Sequence, residues 1–329
     1  MADLKLTLAI NDYDHVRDLV TGRVRAEGID LTCLTLSVEE IFYRFTAFRE
    51  WDVSELSLAK YTSLVGSGDR SLSAIPVFPS RVFRHAAFYV RDDGSVREPA
   101  DLAGRRVGVP EWIQTAGVYA RGVLQHQYGV ALADVGWVQG GVNQPGREEL
   151  VAPKLPPGVA IEAVGDRTLQ DMLVDGDLDA VITARPPQRF LDGDARIRRL
   201  FDDPRVVEDT HYRETGIFPI MHTVALRSEV LDANPWVAGN LLTAFTAAKD
   251  RSLERLRDVN ASRFPVPWSH DLGRQASALL GPDSWPYGIE PNRPTLEAFL
   301  RFAHEQGVAE RALAPEDLFP ESVRRSFRV

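Results

Sequence analysis

Strand-like and helix-like segments alternate along this chain, and the alternation starts twice. In the first series, LKLTLAI and IDLTCLTL are strand-like and are separated by the helical pattern YDHVRDLVTG. A polar, turn-rich stretch over residues 91–104 is followed by a second series, which begins with RRVGVP. Strands that alternate with helices predict a mostly parallel sheet with helices on its faces. Because the series restarts, we predict an α/β protein with two lobes.

Two apolar segments predict where the chain crosses between these lobes. SAIPVFPSRVFRH precedes the turn-rich stretch, and GIFPIMHTVAL follows the second series. We therefore predict a discontinuous first lobe of residues 1–92 plus 217–329 and a second lobe of residues 93–216. Ligands of open α/β folds bind at the carboxyl ends of strands and between domains, so we expect the functional site between the lobes.

The charge and the cysteine content exclude several classes of function. With a formal net charge of −9, the chain is not expected to bind nucleic acid or an acidic membrane surface. The start MADLKLTLAIND lacks the basic and apolar regions of a signal peptide, and no apolar window is long enough to span a membrane. We therefore expect a cytoplasmic protein. A single cysteine, Cys33, and scattered histidines give no positive sign of a metal site.

Three potential cations interrupt the first crossing segment. FPSRVFRH places Arg81, Arg84 and His85 between apolar runs, where a charge is tolerated only if it is paired or hydrogen-bonded. Ion pairs with loop carboxylates are one explanation. The other is an anionic ligand, because arginine can bind a carboxylate through two parallel hydrogen bonds.

Further polar side chains follow the strands of the second series. VGVPEWIQTAG runs from a strand into a helix whose first turn can bind an anion, with a hydroxyl from Thr115. At the same turn, Glu111 is either a partner of the helix dipole or, if it faces the cleft, a candidate proton carrier. The glycine-rich loop GGVNQPGRE offers Arg147 but lacks the residues of a phosphate loop. TARPP brings Arg185 to a strand end, as a solvated loop residue or as a ligand contact.

His85 and His222 differ from the other histidines because both lie in the apolar crossing segments. A lone histidine in such a strand is more often a hydrogen-bonded core residue than a catalyst. Two of them, on opposite crossings, shift the balance towards a site.

Several longer segments are distinctive, namely DVSELSL, IPVFPSRVFRH, RVGVPEW, GGVNQPGRE, GIFPIMHTV and WPYGIEPNRPTLEAFLRFAHEQG. Through them, nearly the whole chain resembles the 4,5-dihydroxyphthalate decarboxylase family. The resemblance implies the two-lobed, type II architecture of periplasmic solute-binding proteins. It also implies a carboxy-lyase of aromatic compound catabolism that converts 4,5-dihydroxyphthalate to protocatechuate and CO2 without a cofactor. A decarboxylase of another hydroxylated aromatic acid would be built in the same way.

This chemistry requires cations for the carboxylates, an acid near the reacting ring carbon and an acceptor for the ring hydroxyl. We expect the carboxylates to be held by Arg81 and Arg185, together with Arg84 and Arg121. The expected proton donor is His85 or His222, followed by Glu111. We expect the hydroxyls to be oriented by Tyr13, Asp14 and Glu55, and further substrate contacts from Ser54, Ser57, Thr115 and Arg147.

The alternative, from a different class, is a solute-binding or sensor protein that captures an aromatic acid without reacting it. The same architecture mainly serves binding proteins, so membership of the fold does not prove catalysis. The missing export signal counts against this alternative. In both cases the expected partner is a small aromatic carboxylate, and homo-oligomerisation is left open.

Overall fold

A computed structural model describes residues 3–147, 149, 153–261 and 263–324. The strands in this part of the chain are β1 Leu4–Ile10, β2 Ile29–Thr35, β3 Val53–Ser57, β4 Leu72–Ile75, β5 Phe88–Arg91, β6 Arg106–Val109, β7 Gly136–Gln139, β8 Ile161–Ala163, β9 Ala180–Ile182, β10 Ile197–Arg199 and β11 His222–Arg227. The α-helices are α1 Asp14–Val20, α2 Val38–Phe48, α3 Leu58–Ser67, α4 Thr115–Tyr128, α5 Leu169–Asp175, α6 Gln188–Leu191, α7 Pro204–Thr215, α8 Ser228–Ala233, α9 Val237–Arg257, α10 Ser269–Leu280 and α11 Arg293–Glu305.

The strands form two sheets, one for each predicted lobe. The first has the order β2-β1-β3-β11-β4, and the second has the order β10-β5-β9-β6-β7-β8. In the first sheet β1 is parallel to β2 and β3, whereas β11 is antiparallel to β3 and β4. In the second sheet β6 and β7 have parallel neighbours, whereas β5 is antiparallel to β9 and β10. The strands that enter or leave a crossing are thus the antiparallel ones.

The local sequence explains where the elements that shape the site begin. Leu6, Leu8 and Ile10 are buried in β1, as the alternating pattern predicts. The hydroxyl of Ser37 accepts a hydrogen bond from the backbone N–H of Glu40, so Ser37 is the N-cap of α2. The side chain of Ser57 accepts in the same way at the start of α3, where β3 ends. Polar caps therefore place the first turns of both helices at strand ends.

The predicted boundary at residue 92 lies too late in the chain. Phe88–Arg91 is β5, and this strand pairs with β9 and β10 of the second sheet. The chain therefore enters the second lobe before residue 88. The turn-rich stretch over residues 91–104 is a connection within the second lobe, and it contains a short 3-10 helix, Pro99–Leu102. Turn-forming residues mark any surface connection, and so they do not separate a loop within a lobe from a linker between lobes.

The two crossings lie side by side, and we call them the hinge, residues 80–87 and 216–221. Arg81 forms an isolated antiparallel bridge with Ile220. The backbone N–H of Val82 donates to the carbonyl of Pro219 at 3.1 Å, and the N–H of Met221 donates to the carbonyl of Ser80 at 2.8 Å. The hinge is therefore a short ladder rather than two independent linkers.

Helices from both lobes also pack against each other beside the hinge. Gly122 of α4 lies against the ring of Phe302 of α11, with no room for a side chain. The indole N–H of Trp112 donates to the carbonyl of Gln306 at 2.8 Å, and the side chain of Gln306 accepts from Arg121 at 2.9 Å. Within the described residues, no helix is long and apolar enough to cross a membrane.

Candidate functional site

A cavity of about 1020 Å³ lies between the two sheets. The hinge forms its floor with Ser80, Arg84 and Met221, and α2 of the first lobe forms one wall. The opposite wall comes from the loops after β6, β7 and β9, at residues 110–116, 141–147 and 183–185. These loops follow the carboxyl ends of parallel strands, which is where open α/β sheets bind ligands. The cavity therefore lies at the predicted place.

A histidine and a buried glutamate form the centre of the site. His222 begins β11 and lines the cavity, and Glu55 lies on the neighbouring strand β3. Antiparallel pairing sets His222 opposite Ser57 and Glu55 opposite Val224, so that the two side chains are diagonal neighbours. The distance between Nδ1 of His222 and Oε1 of Glu55 is 2.6 Å.

Glu55 is fully buried and accepts hydrogen bonds on both oxygens. The phenol of Tyr13 donates to Oε1 at 2.7 Å, and the backbone N–H of Asn11 donates to Oε2 at 2.9 Å. Burial acts to raise the pKa of Glu55, but the hydrogen bonds and the charge of His222 outweigh it and lower this pKa. Burial, together with the charge of Glu55, raises the pKa of Tyr13, which keeps the phenol a neutral donor.

This arrangement directs the other nitrogen of His222 away from the protein interior. Because Nδ1 is bound to Glu55, Nε2 is the nitrogen left for a molecule in the cavity. The ring of Phe42, also in the cavity wall, meets the imidazole edge to face at 4.9 Å between centroids. The imidazole is therefore fixed by a carboxylate on one side and an aromatic ring on another.

Cations and carboxylates from both lobes line the cavity. Lys60 of α3 and Arg147 of the second lobe both meet Glu111, at 3.9 Å and 2.5 Å. Arg185 of the second lobe pairs with Glu39 of α2 at 2.5 Å, and both of these side chains are exposed. As the partner of two cations, Glu111 is an acceptor here rather than a free acid. The ion pairs Lys60–Glu111 and Arg185–Glu39 therefore link the two lobes across the cavity.

Thr115 and Ser57 lie in the cavity as predicted, but they bind each other. Their side-chain oxygens are 3.0 Å apart, and Thr115 also accepts from the backbone N–H of Ala59. This contact joins the start of α4 to the start of α3. Thr115 therefore helps to hold the two lobes in register, in addition to lining the site.

Two arginines predicted as carboxylate ligands are instead built into the protein interior. Arg81 donates to the carbonyls of Phe218 and Pro286, at 2.8 Å and 3.3 Å, and stacks on the ring of Phe218. Arg121 donates to the carbonyl of Trp112 at 2.6 Å and to Gln306. Neither side chain lines the cavity. Their placement in the cleft was predicted wrongly, because the hinge and the lobe interface use their donors for carbonyl groups.

His85 also lies outside the cavity. Its ring packs against Phe201 and His211, at 5.5 Å and 5.1 Å between centroids. Burial, with a smaller effect of His211, lowers the pKa of His85 to about 4. A buried, neutral imidazole away from the cavity is not placed to protonate a ligand there, so the geometry favours His222.

Asp14 and Ser54 do not line the cavity either. Asp14 accepts from the hydroxyl of Ser252 at 2.5 Å and from Arg255, which ties α1 to α9. The hydroxyl of Ser54 donates to the backbone carbonyl of Glu55 at 2.9 Å. Tyr13 does not line the cavity either, and its phenol donates a hydrogen bond to the buried carboxylate of Glu55. These side chains support the site or the fold rather than face a ligand.

The cavity includes residues that the sequence analysis did not select. Lys60 is the one charged residue of the helix LAKYTSLVGS and lies in its first turn, directly after a strand, and this was its signal in the sequence. Asn11 follows β1, at the same edge of the first sheet, and lines the cavity. Among the described residues, no group of three or more His, Cys, Asp or Glu is arranged to hold a metal ion.

No family model matches this sequence. The chain is 39% identical to the 4,5-dihydroxyphthalate decarboxylase of Comamonas testosteroni over the whole length of both chains. It is 40% identical to the enzyme of the same name from Pseudomonas putida, over 65% of this chain and 83% of that one. The chain belongs to the 4,5-dihydroxyphthalate decarboxylase family.

Solved structures confirm the predicted two-lobed fold of this decarboxylase family member. The sulphonate-binding protein SsuA of Escherichia coli superposes with a TM-score of 0.52 at 11% identity, covering 98% of this chain and 99% of that one. SsuA of Xanthomonas axonopodis pv. citri, bound to MOPS, gives 0.51 at 11% identity over 97% and 99%. The desulfurization enzyme DszB gives 0.50 at 17% identity over 97% of each chain. Both binding proteins and an enzyme have this fold, so the fold alone does not decide the function.

Proposed function

We infer that this protein decarboxylates 4,5-dihydroxyphthalate to protocatechuate and CO2. Both relatives of this chain are named for that activity. The observation that supports catalysis over simple binding is the pair of His222 and buried Glu55 at the cavity surface. A binding site needs no such pair, whereas a histidine that donates a proton is oriented by a hydrogen-bonded carboxylate, which also stabilises its charged form.

The reaction requires a proton at the ring carbon that bears the departing carboxylate. A hydroxyl para to this carbon supplies electrons as the proton arrives, which gives a non-aromatic intermediate. The bond to the carboxylate then breaks, its electrons return to the ring and CO2 leaves. The net change is one proton taken up and one CO2 released for each substrate molecule.

We propose that Nε2 of His222 delivers this proton. The imidazolium form donates through Nε2 while its Nδ1–H remains bound to Glu55, whose negative charge stabilises the cation. After CO2 has left, the neutral imidazole takes a new proton from solvent. Glu55 and Tyr13, which were predicted to orient the hydroxyls, become positioning residues for His222 in this proposal.

The rest of the cavity suits a planar dianion with two aromatic faces. Lys60, Arg84, Arg147 and Arg185 bring four positive charges, and Glu39 and Glu111 bring two negative ones, so that the lining has a net charge of about +2. Phe42 and Val38 of α2 offer apolar surface to the ring. We propose that the cations bind the carboxylates and that Glu111 accepts from a ring hydroxyl. The predicted cytoplasmic location stays a prediction.

The decisive experiment measures CO2 release from 4,5-dihydroxyphthalate by the purified protein. In deuterated water, deuterium is expected on the protocatechuate carbon that carried the lost carboxylate. An aromatic-acid binding protein would bind the substrate, release no CO2 and incorporate no deuterium. That result would contradict the proposed function.

Two histidine variants then test which imidazole donates the proton. His222→Gln should lower kcat by about 100-fold to 10,000-fold, the usual range for removal of a general acid, with a smaller effect on substrate binding. His85→Gln is the matched control, because His85 is buried against Phe201 and His211 and does not line the cavity. A large loss of kcat in His85→Gln with little loss in His222→Gln would reverse the assignment. Full activity in both variants would show that the imidazole assignment is wrong, and Glu111 would become the residue to test.

A further inference from the structure

Arg84 differs from the other cations of the cavity. Lys60, Arg147 and Arg185 each have a carboxylate within ion-pair distance. In the part of the chain that the structure describes, Arg84 has none, and its Nε donates only to the sulfur of Met221 at 3.1 Å. A thioether is a weak acceptor, and Nη1 and Nη2 have no partner among the described residues. The two Nη groups, which carry four of the five N–H donors of the guanidinium, are thus available to the cavity.

The environment of Arg84 also makes an anion favourable. The side chain is half-buried on the hinge, and burial lowers its pKa to about 10, although Glu208 acts in the opposite direction. The guanidinium is therefore still charged at neutral pH, without the full hydration of a surface arginine. A partly desolvated, unpaired cation costs free energy that a bound carboxylate can offset.

The position of Arg84 relates it to the proton donor. Met221, which contacts the guanidinium, directly precedes His222 in the chain, and all three side chains line the same cavity. The two carboxylates of 4,5-dihydroxyphthalate are on neighbouring ring carbons. A cation of this cavity that holds one of them keeps the other carboxyl-bearing carbon in the same cavity as Nε2 of His222.

We propose that Arg84 binds the carboxylate that remains on the ring and so presents the adjacent carbon to His222. This inference rests on the proposed function. The departing carboxylate loses its negative charge as CO2 forms, so a strong cation on it would stabilise the substrate more than the transition state. The remaining carboxylate keeps its charge throughout, and binding it carries no such penalty. Arg84 itself neither gains nor loses a proton.

Ligand binding to Arg84 variants tests which carboxylate the side chain holds. The probes are protocatechuate, which has only the remaining carboxylate, phthalate, which has both, and catechol, which has neither. In Arg84→Met, the Kd measured by calorimetry should rise about 10-fold to 100-fold for protocatechuate and for phthalate, the worth of a charge-assisted hydrogen bond. The Kd for catechol should stay within about twofold. The Kd values of Arg84→Lys should lie between those of wild type and Arg84→Met, because lysine keeps the charge but lacks the planar guanidinium fork.

Arg301→Gln is the control, since it makes the same change in net charge at an exposed position of α11, away from the cavity. Weaker binding of phthalate with unchanged binding of protocatechuate would assign Arg84 to the departing carboxylate and overturn the proposal. Unchanged binding of both would also overturn it.

A second measurement uses the wild-type protein and does not depend on the folding of a variant. Phenylglyoxal modifies accessible arginines, and mass mapping of peptides locates the modified residue. Protocatechuate should protect Arg84 from modification, and catechol should not. Equal labelling with and without protocatechuate would contradict the proposal. Failure of the wild-type protein to release CO2 from 4,5-dihydroxyphthalate would instead contradict the proposed function, and the two failures are therefore distinguishable.

Discussion

Glu55 is a fully buried carboxylate that acts on the cavity through its contact with His222. In Glu55→Gln, the amide keeps the shape of the side chain but removes the counterion of the imidazolium and sets an NH2 group against a donor. We expect kcat to fall by about 10-fold to 1,000-fold, between the loss of a hydrogen bond and the loss of the acid itself. KM should change less. The pH profile of kcat should shift as well, which a purely structural role would not produce.

Tyr13→Phe provides the comparison for Glu55→Gln. It removes one hydrogen bond to Glu55 and leaves the charge in place, so a smaller loss of kcat is expected. Glu55→Asp should recover part of the activity, because it restores the carboxylate. Wild-type kcat and an unchanged pH profile in Glu55→Gln would show that His222 acts without this partner.

At single residues, the sequence could identify the candidates but not choose among them. His85 and His222 were equally good candidates for the proton donor, because both lie in apolar segments of the sequence. The choice between them depends on tertiary contacts. Strand pairing places Glu55 beside His222, whereas the packing of Phe201 and His211 buries His85. Arg81 and Arg84, three positions apart, likewise differ only through partners elsewhere: the carbonyls of Phe218 and Pro286 capture Arg81. Such partners are up to about 200 positions away, and no local pattern encodes them.

Among the elements, α4 and α11 make a contact that a pair of glycines can test. Gly122→Ala would place a methyl group against the buried ring of Phe302, and overpacking of this kind costs about 1 to 3 kcal/mol. Alanine favours a helix by about 1 kcal/mol over glycine, which offsets only the lower end of that cost, and an added Cβ would lie well inside the contact distance of the ring. We therefore expect a lower free energy of unfolding in urea. Gly239→Ala in α9, where nothing lies near the added methyl group, should instead stabilise by about 0.5 to 1 kcal/mol.

The order of these two variants is the result to compare. If both alanines stabilise the protein, Phe302 moves at little cost and the two helices are not tightly packed at this point.

The strands and helices themselves were largely predictable, because apolar periodicity and caps such as Ser37 are local signals. The packing of α4 on α11 was not, since the two helices are far apart in the sequence.

For the whole molecule, the two lobes were predictable because the series of strands restarts, but the exact crossing was not. The strand β5 follows the hinge and precedes the turn-rich stretch, so the visible break in composition comes after the physical one. The location of the cavity followed from a general rule for strand ends. The ion pairs across the cavity did not, because Lys60 and Glu111 meet only once both lobes are in place.

Stability of the whole molecule should depend on pH through His85. Its pKa is about 4 in the folded protein, compared with 6.5 for an ordinary histidine. Between these values the unfolded chain binds a proton that the folded protein does not, so the free energy of unfolding falls as the pH falls. The contribution of the neutral His85 to the free energy of unfolding is fully present above pH 6.5. At about 1.4 kcal/mol per pH unit, its loss reaches roughly 3 kcal/mol near pH 4.

Urea unfolding between pH 7 and pH 4 measures the sum of such losses, since burial also lowers the pKa of His15 to about 4, and His85→Gln removes the part that is due to His85. The variant should be less stable than wild type at pH 7, because it disturbs packing against Phe201 and His211, yet its stability should decline less steeply towards pH 4. His270→Gln, at a partly exposed position of α10, is the control for exchange of a histidine by glutamine. Carboxylates such as Glu55 and Asp14, whose pKa values are lowered in the folded state, make their own contribution mainly at lower pH. Equal slopes for His85→Gln and wild type would mean that His85 takes up its proton in the folded protein as readily as in the unfolded chain.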